Sequence, residues 1–143
     1  MSVEQVARDF VMAMNDMEAL KARITADAIA SGGVLPQPLP LLEAFQVMDG
    51  LTAGMPDMKF TVEEVMLNGN RARVYARWSG TQTGPLRLPG IPAVPPTGKK
   101  VWVKDTYILT VEGDKVSVIE IDSPVGGGIP GALAQLGVKI PAM

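Results

Sequence analysis

Asp105, Tyr107, Glu120 and Asp122 interrupt two stretches that otherwise alternate like buried strands. Residues 100–111 (KVWVKDTYILTV) and 115–121 (KVSVIEI) flank the turn Glu112-Gly113-Asp114. At a period of two, Val101, Val103, Asp105, Tyr107, Leu109 and Val111 share one face of the outgoing strand. Val116, Val118, Glu120 and Asp122 share a face of the return. If the two faces coincide, an apolar wall carries three carboxylates and a phenol. Carboxylates on such a wall cost free energy unless they are paired or used. Used, they do proton transfer. Asp122 would be a general base with its pKa raised by an apolar pocket. Asp105 would be a second acid or would orient Tyr107, and Tyr107 would donate to a carbonyl oxygen. The plainer reading of each residue stands beside these. Asp122 then caps the turn at Ser123-Pro124, Asp105 is a hydrogen-bonded core carboxylate, Tyr107 is a core aromatic, and Glu120 is a solvated strand residue paired with Lys104.

The chemistry is narrowed by what is missing. The 143 residues contain no histidine and no cysteine. That removes the commonest general base, the commonest metal ligand and any disulfide or thiolate site. No metal or cofactor site is therefore expected, and acid–base work rests on Asp, Glu, Tyr or Lys. A net charge of −2 with no basic block argues against nucleic acid. Hydrophobic residues at 47% and charged residues at 20% describe a folded chain rather than a disordered one. The length fits one domain over residues 1–143. Glu4, Arg8 and Asp9 break up the N-terminal stretch, so no signal peptide is visible. No apolar run is long enough to span a membrane. A cytoplasmic protein is the expectation.

Helices come first. Ser2 and Gln5 form a capping-box pattern, and Val3, Val6, Phe10 and Met14 follow at helical spacing, which predicts a helix over residues 3–15. Asp16 caps a shorter one through Ile24, with Met17, Leu20 and Ile24 as its apolar stripe. Residues 26–30 read as a helix end or a short edge strand, and the prolines at 36, 38 and 40 mark a loop. A third helix runs from Leu41 to Ala53, stopped by Gly54 and Pro56. Lys59–Leu67 then alternates as a strand, with Phe60, Val62, Glu64 and Met66 on one face. Asn68-Gly69 is a strong hairpin signal, and Arg71–Ser79 returns. On that return Ala72, Val74, Ala76 and Trp78 oppose Arg71, Arg73, Tyr75 and Arg77, so one face packs on the core. The arginines form a solvated or dimer-facing row. Residues 80–99 hold five of the chain's twelve prolines. So long an irregular connection is expected to cover a pocket mouth or a dimer edge. The triplet Gly126-Gly127-Gly128 reads as a pliable loop, and Ala132–Leu136 as a turn or so of helix. Helices followed by four strands in two antiparallel hairpins give an α+β domain.

Several runs resemble the SnoaL-like polyketide cyclase group. They are Trp78-Ser79-Gly80-Thr81-Gln82-Thr83-Gly84-Pro85, Gly90-Ile91-Pro92, Pro96-Thr97-Gly98-Lys99-Lys100, the turn at residues 111–115, Met55-Pro56-Asp57, and Leu133-Ala134-Gln135-Leu136-Gly137. The resemblance implies the nuclear transport factor 2-like fold: a cone in which a curved antiparallel sheet wraps N-terminal helices around an open pocket, often dimerising through the sheet. Its relatives include aldol-type cyclases, ketosteroid isomerases and epoxide hydrolases. The cyclases use an aspartate on the last strand, aided by a histidine on the preceding one. Asp122 is the nearest match to that aspartate. The histidine has no counterpart, Asp105 or Tyr107 lies near its place, and Gln82 stands where the group's Gly-Thr-His-Thr-Gly motif has its histidine.

Two functions follow. The first is a cyclase or isomerase acting by proton transfer on a hydrophobic, carbonyl-bearing small molecule, with Asp122, Asp105 and Tyr107 as its catalytic residues. The second is a binding protein of the same fold without turnover. In either, Trp78, Glu120, Phe10 and Met14 are expected to line the ligand pocket, and the protein is expected to pair as a homodimer through its sheet.

Overall fold

The computed structural model describes residues 2–33, 35–88 and 92–138. Pro89, Gly90 and Ile91 of the proline-rich connection lie outside them. Helix α1 (Val3–Met12) buries Val6, Ala7, Phe10 and Val11 on one face. The Ser2 hydroxyl accepts from the Gln5 amide at 3.1 Å, as the sequence predicts. The helix ends at Met12 rather than residue 15, and the Asn15 side-chain amide donates to the Met58 carbonyl at 2.6 Å. Asp16 caps α2 (Met17–Lys21) by accepting from the Ala19 amide at 3.3 Å.

Among the described residues the sheet has six strands, two more than the hairpins supply. They are β1 (Ile24–Gly32), β2 (Leu39–Pro40), β3 (Lys59–Asn68), β4 (Arg71–Thr81), β5 (Lys100–Glu112) and β6 (Lys115–Ile121), in the spatial order β2-β1-β6-β5-β4-β3. The two hairpins β3–β4 and β5–β6 are those predicted. β1 is the addition. It runs parallel to β6 and pairs antiparallel with β2, so it is an interior strand and not an edge. The predicted third helix is two: α3 (Leu41–Ala44) and α4 (Gln46–Gly54), which meet at Phe45. The last helix, α5 (Gly128–Gln135), starts four residues earlier than Ala132.

Three strands break register: β1 against β6 between Ile24 and Ile29, and β3 and β6 by one extra residue each against their antiparallel partners. Along β3, Val62 faces Ala76 but Glu64, not Glu63, faces Tyr75. Along β6, Val116 faces Val111 but Val118 faces Thr110. Such bulges at Glu63 and Ser117 bend the strand and invert its alternation. Val65 and Leu67, not Glu64 and Met66, therefore lie opposite the inward Val74 and Ala72 of β4. The curled sheet packs its inner face on α1, with Phe60, Val74, Trp78, Val103, Leu109 and Ile119 in one buried cluster with Phe10 and Leu20.

The described residues of the connection, 82–88 and 92–99, form a clasp on α4. Thr83 and Gly84 donate their amides to the Gly54 carbonyl, at 3.1 and 3.2 Å, and so cap the helix end. Leu86 and Val94 exchange two backbone hydrogen bonds of 2.9 Å. Gln82 is fully buried and is the hub of the clasp. Its Nε2 lies 3.0–3.3 Å from the carbonyl oxygens of Gly84, Val94 and Pro95. Its Oε1 accepts from the Thr97 amide at 3.2 Å and from the Thr97 hydroxyl at 2.7 Å.

Candidate functional site

β4, β5 and β6 pass under α1 and α4 and leave an apolar cavity of ≈ 50 Å³ among the described residues. Phe60, Trp78, Asp105, Tyr107 and Ile121 form its sheet side. Met48 and Leu51 of α4 close it from the other side, with Met14 just past α1 and Met58 just before β3. Gly33, Ser123, Ile129 and Pro130 lie where β1 ends and α5 begins. The described part of the clasp contributes no side chain to this wall. It acts on the cavity through α4, which it holds in place and which carries Met48 and Leu51.

Asp105 is the cavity's only carboxyl group among the described residues. Alternation on β5 points it inward between Val103 and Tyr107, and it is 5% exposed. Its two oxygens differ. Oδ1 accepts from the Ser123 hydroxyl at 2.8 Å and from the Thr106 amide at 3.0 Å. Oδ2 accepts only from the Tyr107 hydroxyl, at 3.2 Å. Burial pushes the Asp105 pKa up; the bonds from Ser123, Thr106 and Tyr107, with the Trp78 indole, partly offset it. Tyr107 is buried too, and its pKa lies well above the ordinary phenol value, first through burial and then through the neighbouring Asp105 charge. The phenol therefore stays protonated and can donate. An apolar cavity with one proton-hungry carboxyl and one neutral hydroxyl suits proton transfer at a carbonyl-activated carbon. Among the described residues no group of three or more His, Cys, Asp or Glu is gathered to hold a metal ion.

Of the residues the sequence singled out, Asp105, Tyr107, Trp78 and Met14 meet at the cavity. Asp122, Glu120 and Phe10 do not. The bulge at Ser117 turns Ile119 and Ile121 inward and sends Val118, Glu120 and Asp122 to the outer face. There Asp122 is 58% exposed and pairs with Arg73 at 2.8 Å, and Glu120 pairs with Arg71 at 3.3 Å, not with Lys104. Phe10 is core, its ring 6.4 Å from that of Phe45. The sequence reading missed Ser123, which it saw only as a turn residue. An acceptor-rich turn directly after a strand carrying acids was the available signal.

A six-stranded curved sheet closing over N-terminal helices, with its cavity between them, is the ketosteroid isomerase-like or nuclear transport factor 2-like α+β fold. Solved structures agree over nearly the whole chain. AclR, a candidate hydroxylase from Streptomyces galilaeus, superposes with a TM-score of 0.77 at 20% identity, covering 99% of this chain and 83% of AclR. IdmH, a candidate polyketide cyclase from Streptomyces antibioticus, gives 0.74 at 23%, covering 96% and 100%. A candidate SnoaL-like polyketide cyclase from Jannaschia sp. CCS1 gives 0.71 at 24%, covering 99% and 92%. At these identities the likeness is one of fold. No curated protein matches the chain. The family is defined by sequence: residues 4–119 match the model of the SnoaL-like polyketide cyclases, and the chain belongs to that family.

The inward residue of β6 facing Tyr107 is Ile121, so the last strand supplies no carboxylate and β5 does. Gln82 is occupied in holding the clasp.

Proposed function

We propose that this protein is a proton-transfer enzyme of cyclase or isomerase type, acting on a hydrophobic small molecule that carries a carbonyl group. Asp105 is its acid–base residue and Tyr107 its hydrogen-bond donor. The observation that supports this is the single desolvated carboxyl in an apolar cavity with one oxygen left nearly free. Asp105 as carboxylate removes the proton α to the carbonyl, and the C–H electron pair becomes an enolate. Once Oδ2 holds that proton it no longer needs the Tyr107 hydroxyl, which turns to the enolate oxygen. An isomerase then returns the proton to another carbon. A cyclase lets the enolate carbon attack a second carbonyl of the same molecule, and Asp105 gives its proton to the alkoxide formed. The cavity admits only the reacting end of such a molecule, since ligand sites usually offer about 300–1,000 Å³. Methionines at three wall positions (Met14, Met48, Met58) are adaptable enough to widen it.

The absence of histidine, the commonest general base, favours a second reading, a binding protein without turnover. The two are separated by incubating the protein in D₂O with a panel of apolar ketones and β-diketones and following α-proton loss by NMR. Exchange accelerated by the native protein and not by D105N supports the enzyme. Ligand-induced shifts of cavity resonances without exchange select the binder. The partner reading is a homodimer through the outer sheet face, where Met66 is exposed opposite Arg73 and Trp102 is exposed farther along the sheet, opposite Ser79. Light scattering during gel filtration tests it.

A further inference from the structure

We infer that Ser123 is a positioning residue for Asp105: with the Thr106 amide it ties down one carboxyl oxygen, so that the other carries the proton, and Gly128 is what lets it stand there. The inference rests on the reading of Asp105 as the site's acid–base group. The argument is an inventory of donors. A carboxylate has two oxygens with about four lone-pair sites. Oδ1 takes two donors, Ser123 Oγ at 2.8 Å and Thr106 N at 3.0 Å. Oδ2 takes one, at the longer distance of 3.2 Å; the Trp78 indole also favours the charged form but completes no hydrogen bond to either oxygen. Negative charge is best stabilised where the donors are most and closest. The charge therefore settles on Oδ1, and Oδ2, the less satisfied oxygen, is the atom at which a proton is gained and given up.

The chain makes room for this contact with a glycine. Gly128 opens α5 at φ +60°, in the left-handed region. A Cβ on it would stand 2.4 Å from Ser123 Oγ and 3.4 Å from Asp105 Oδ2. Any side chain at 128 would thus push the serine hydroxyl off its acceptor. Of the triplet 126–128, which reads in sequence as slack, Gly128 is packed closely behind the acid and Gly127 against Lys104 and Pro124. Neighbouring elements bring no competing charge to Asp105. On the cavity wall β4 contributes Trp78, β6 Ile121, α1's end Met14, α4 Met48 and Leu51, and α5 Ile129 and Pro130, none of which ionises. Tyr107 on β5 is the one other titratable group described there.

The test is a carboxyl-carbon NMR titration of Asp105 in the free protein, in the native form and in S123A, S123T and G128A, alongside the α-proton exchange assay. Loss of the serine hydroxyl removes a bond that favours the charged form, so the S123A midpoint moves to higher pH. S123T, which keeps a hydroxyl, brings it back toward native. G128A, whose serine is displaced but intact, moves with S123A. The exchange rate in S123A falls about tenfold with little change in KM, as expected for one charge-assisted hydrogen bond. An S123A midpoint equal to native, in a protein whose amide spectrum is otherwise unchanged, overturns the inference. A moved midpoint without exchange in the native protein upholds the role of Ser123 and refutes the enzyme reading instead.

Discussion

Replacing Asp105 by asparagine should make the protein more stable at neutral pH. The change is nearly isosteric, and the amide can keep the local bonds. Its oxygen can accept from Ser123 Oγ and Thr106 N, and its nitrogen can donate to Tyr107 Oη, at the sites now spanning 2.8–3.2 Å. What goes is a charge in a desolvated place. The folded protein holds the Asp105 proton to higher pH than the unfolded chain does, because burial raises its pKa. Between the unfolded value of about 3.9 and the folded midpoint, the folded state binds more protons, and stability falls as pH rises. D105N has no such proton. Across that window the two proteins separate by up to about 1.4 kcal/mol per pH unit. In a domain of this size that is roughly 4 °C of Tm per pH unit. Below pH ~3.9 both side chains are neutral and the two should unfold together. Thermal unfolding followed by circular dichroism from pH 3.5 to 8, at one ionic strength, reads the difference. Parallel curves, or a variant that loses ground as pH rises, would mean that the site favours the Asp105 charge, and the reading of it as a proton-hungry base would fail.

Three further outcomes follow from the geometry. Tyr107 should not ionise in the folded protein as pH passes about 10, because burial and Asp105 both hold its proton; a phenolate absorbance of that residue rising before unfolding, with Y107F as the blank, would contradict it. Gln82→Leu, which keeps the volume but strips the clasp of its hub, should cost about 3 kcal/mol through orphaned buried groups and speed amide exchange at Thr97 and Val94, read by denaturant unfolding and hydrogen exchange. Gly50→Ala should destabilise although alanine is the better helix former by about 1 kcal/mol, because its Cβ would stand 2.0 Å from the Arg87 carbonyl oxygen; a stabilised variant would show that the clasp does not press on α4.

The sequence made the hairpins plain and left the sheet's other two strands obscure. β4 was legible because Ala72, Val74, Ala76 and Trp78 alternate with arginines, and its turn has the positive-φ Gly69 that Asn68-Gly69 predicts. β1 was not. Ala26, Ala28 and Ala30 fit a helix as readily as a strand, and the partner that makes them a strand, β6, lies some ninety residues further on. Asp105 could be picked out because an acid amid valines on a strand is conspicuous, and Trp78 and Met14 because their apolar positions were sound. Asp122 and Glu120 were misplaced for one physical reason: a bulge costs a residue of register and leaves no mark in the composition. Ser123 was invisible for a related one, since its contact with Asp105 depends on where β6 stops and how tightly α5 begins.

The bulge at Ser117 therefore works as a change of phase in the code that maps sequence position to function. Without it, an unbroken ladder from Val116 would have turned Val118, Glu120 and Asp122 inward and Ile119 and Ile121 outward. The same letters would have built a different interior, with its acids on the last strand. Within one fold, then, an acid can move from one strand to its neighbour without the column in which it is written being the one that matters, and a relative's acid found in the column of Asp122 would say nothing of this cavity until the bulge had been counted. Aligning such chains by inward positions, rather than by residue number, is what makes their interiors comparable.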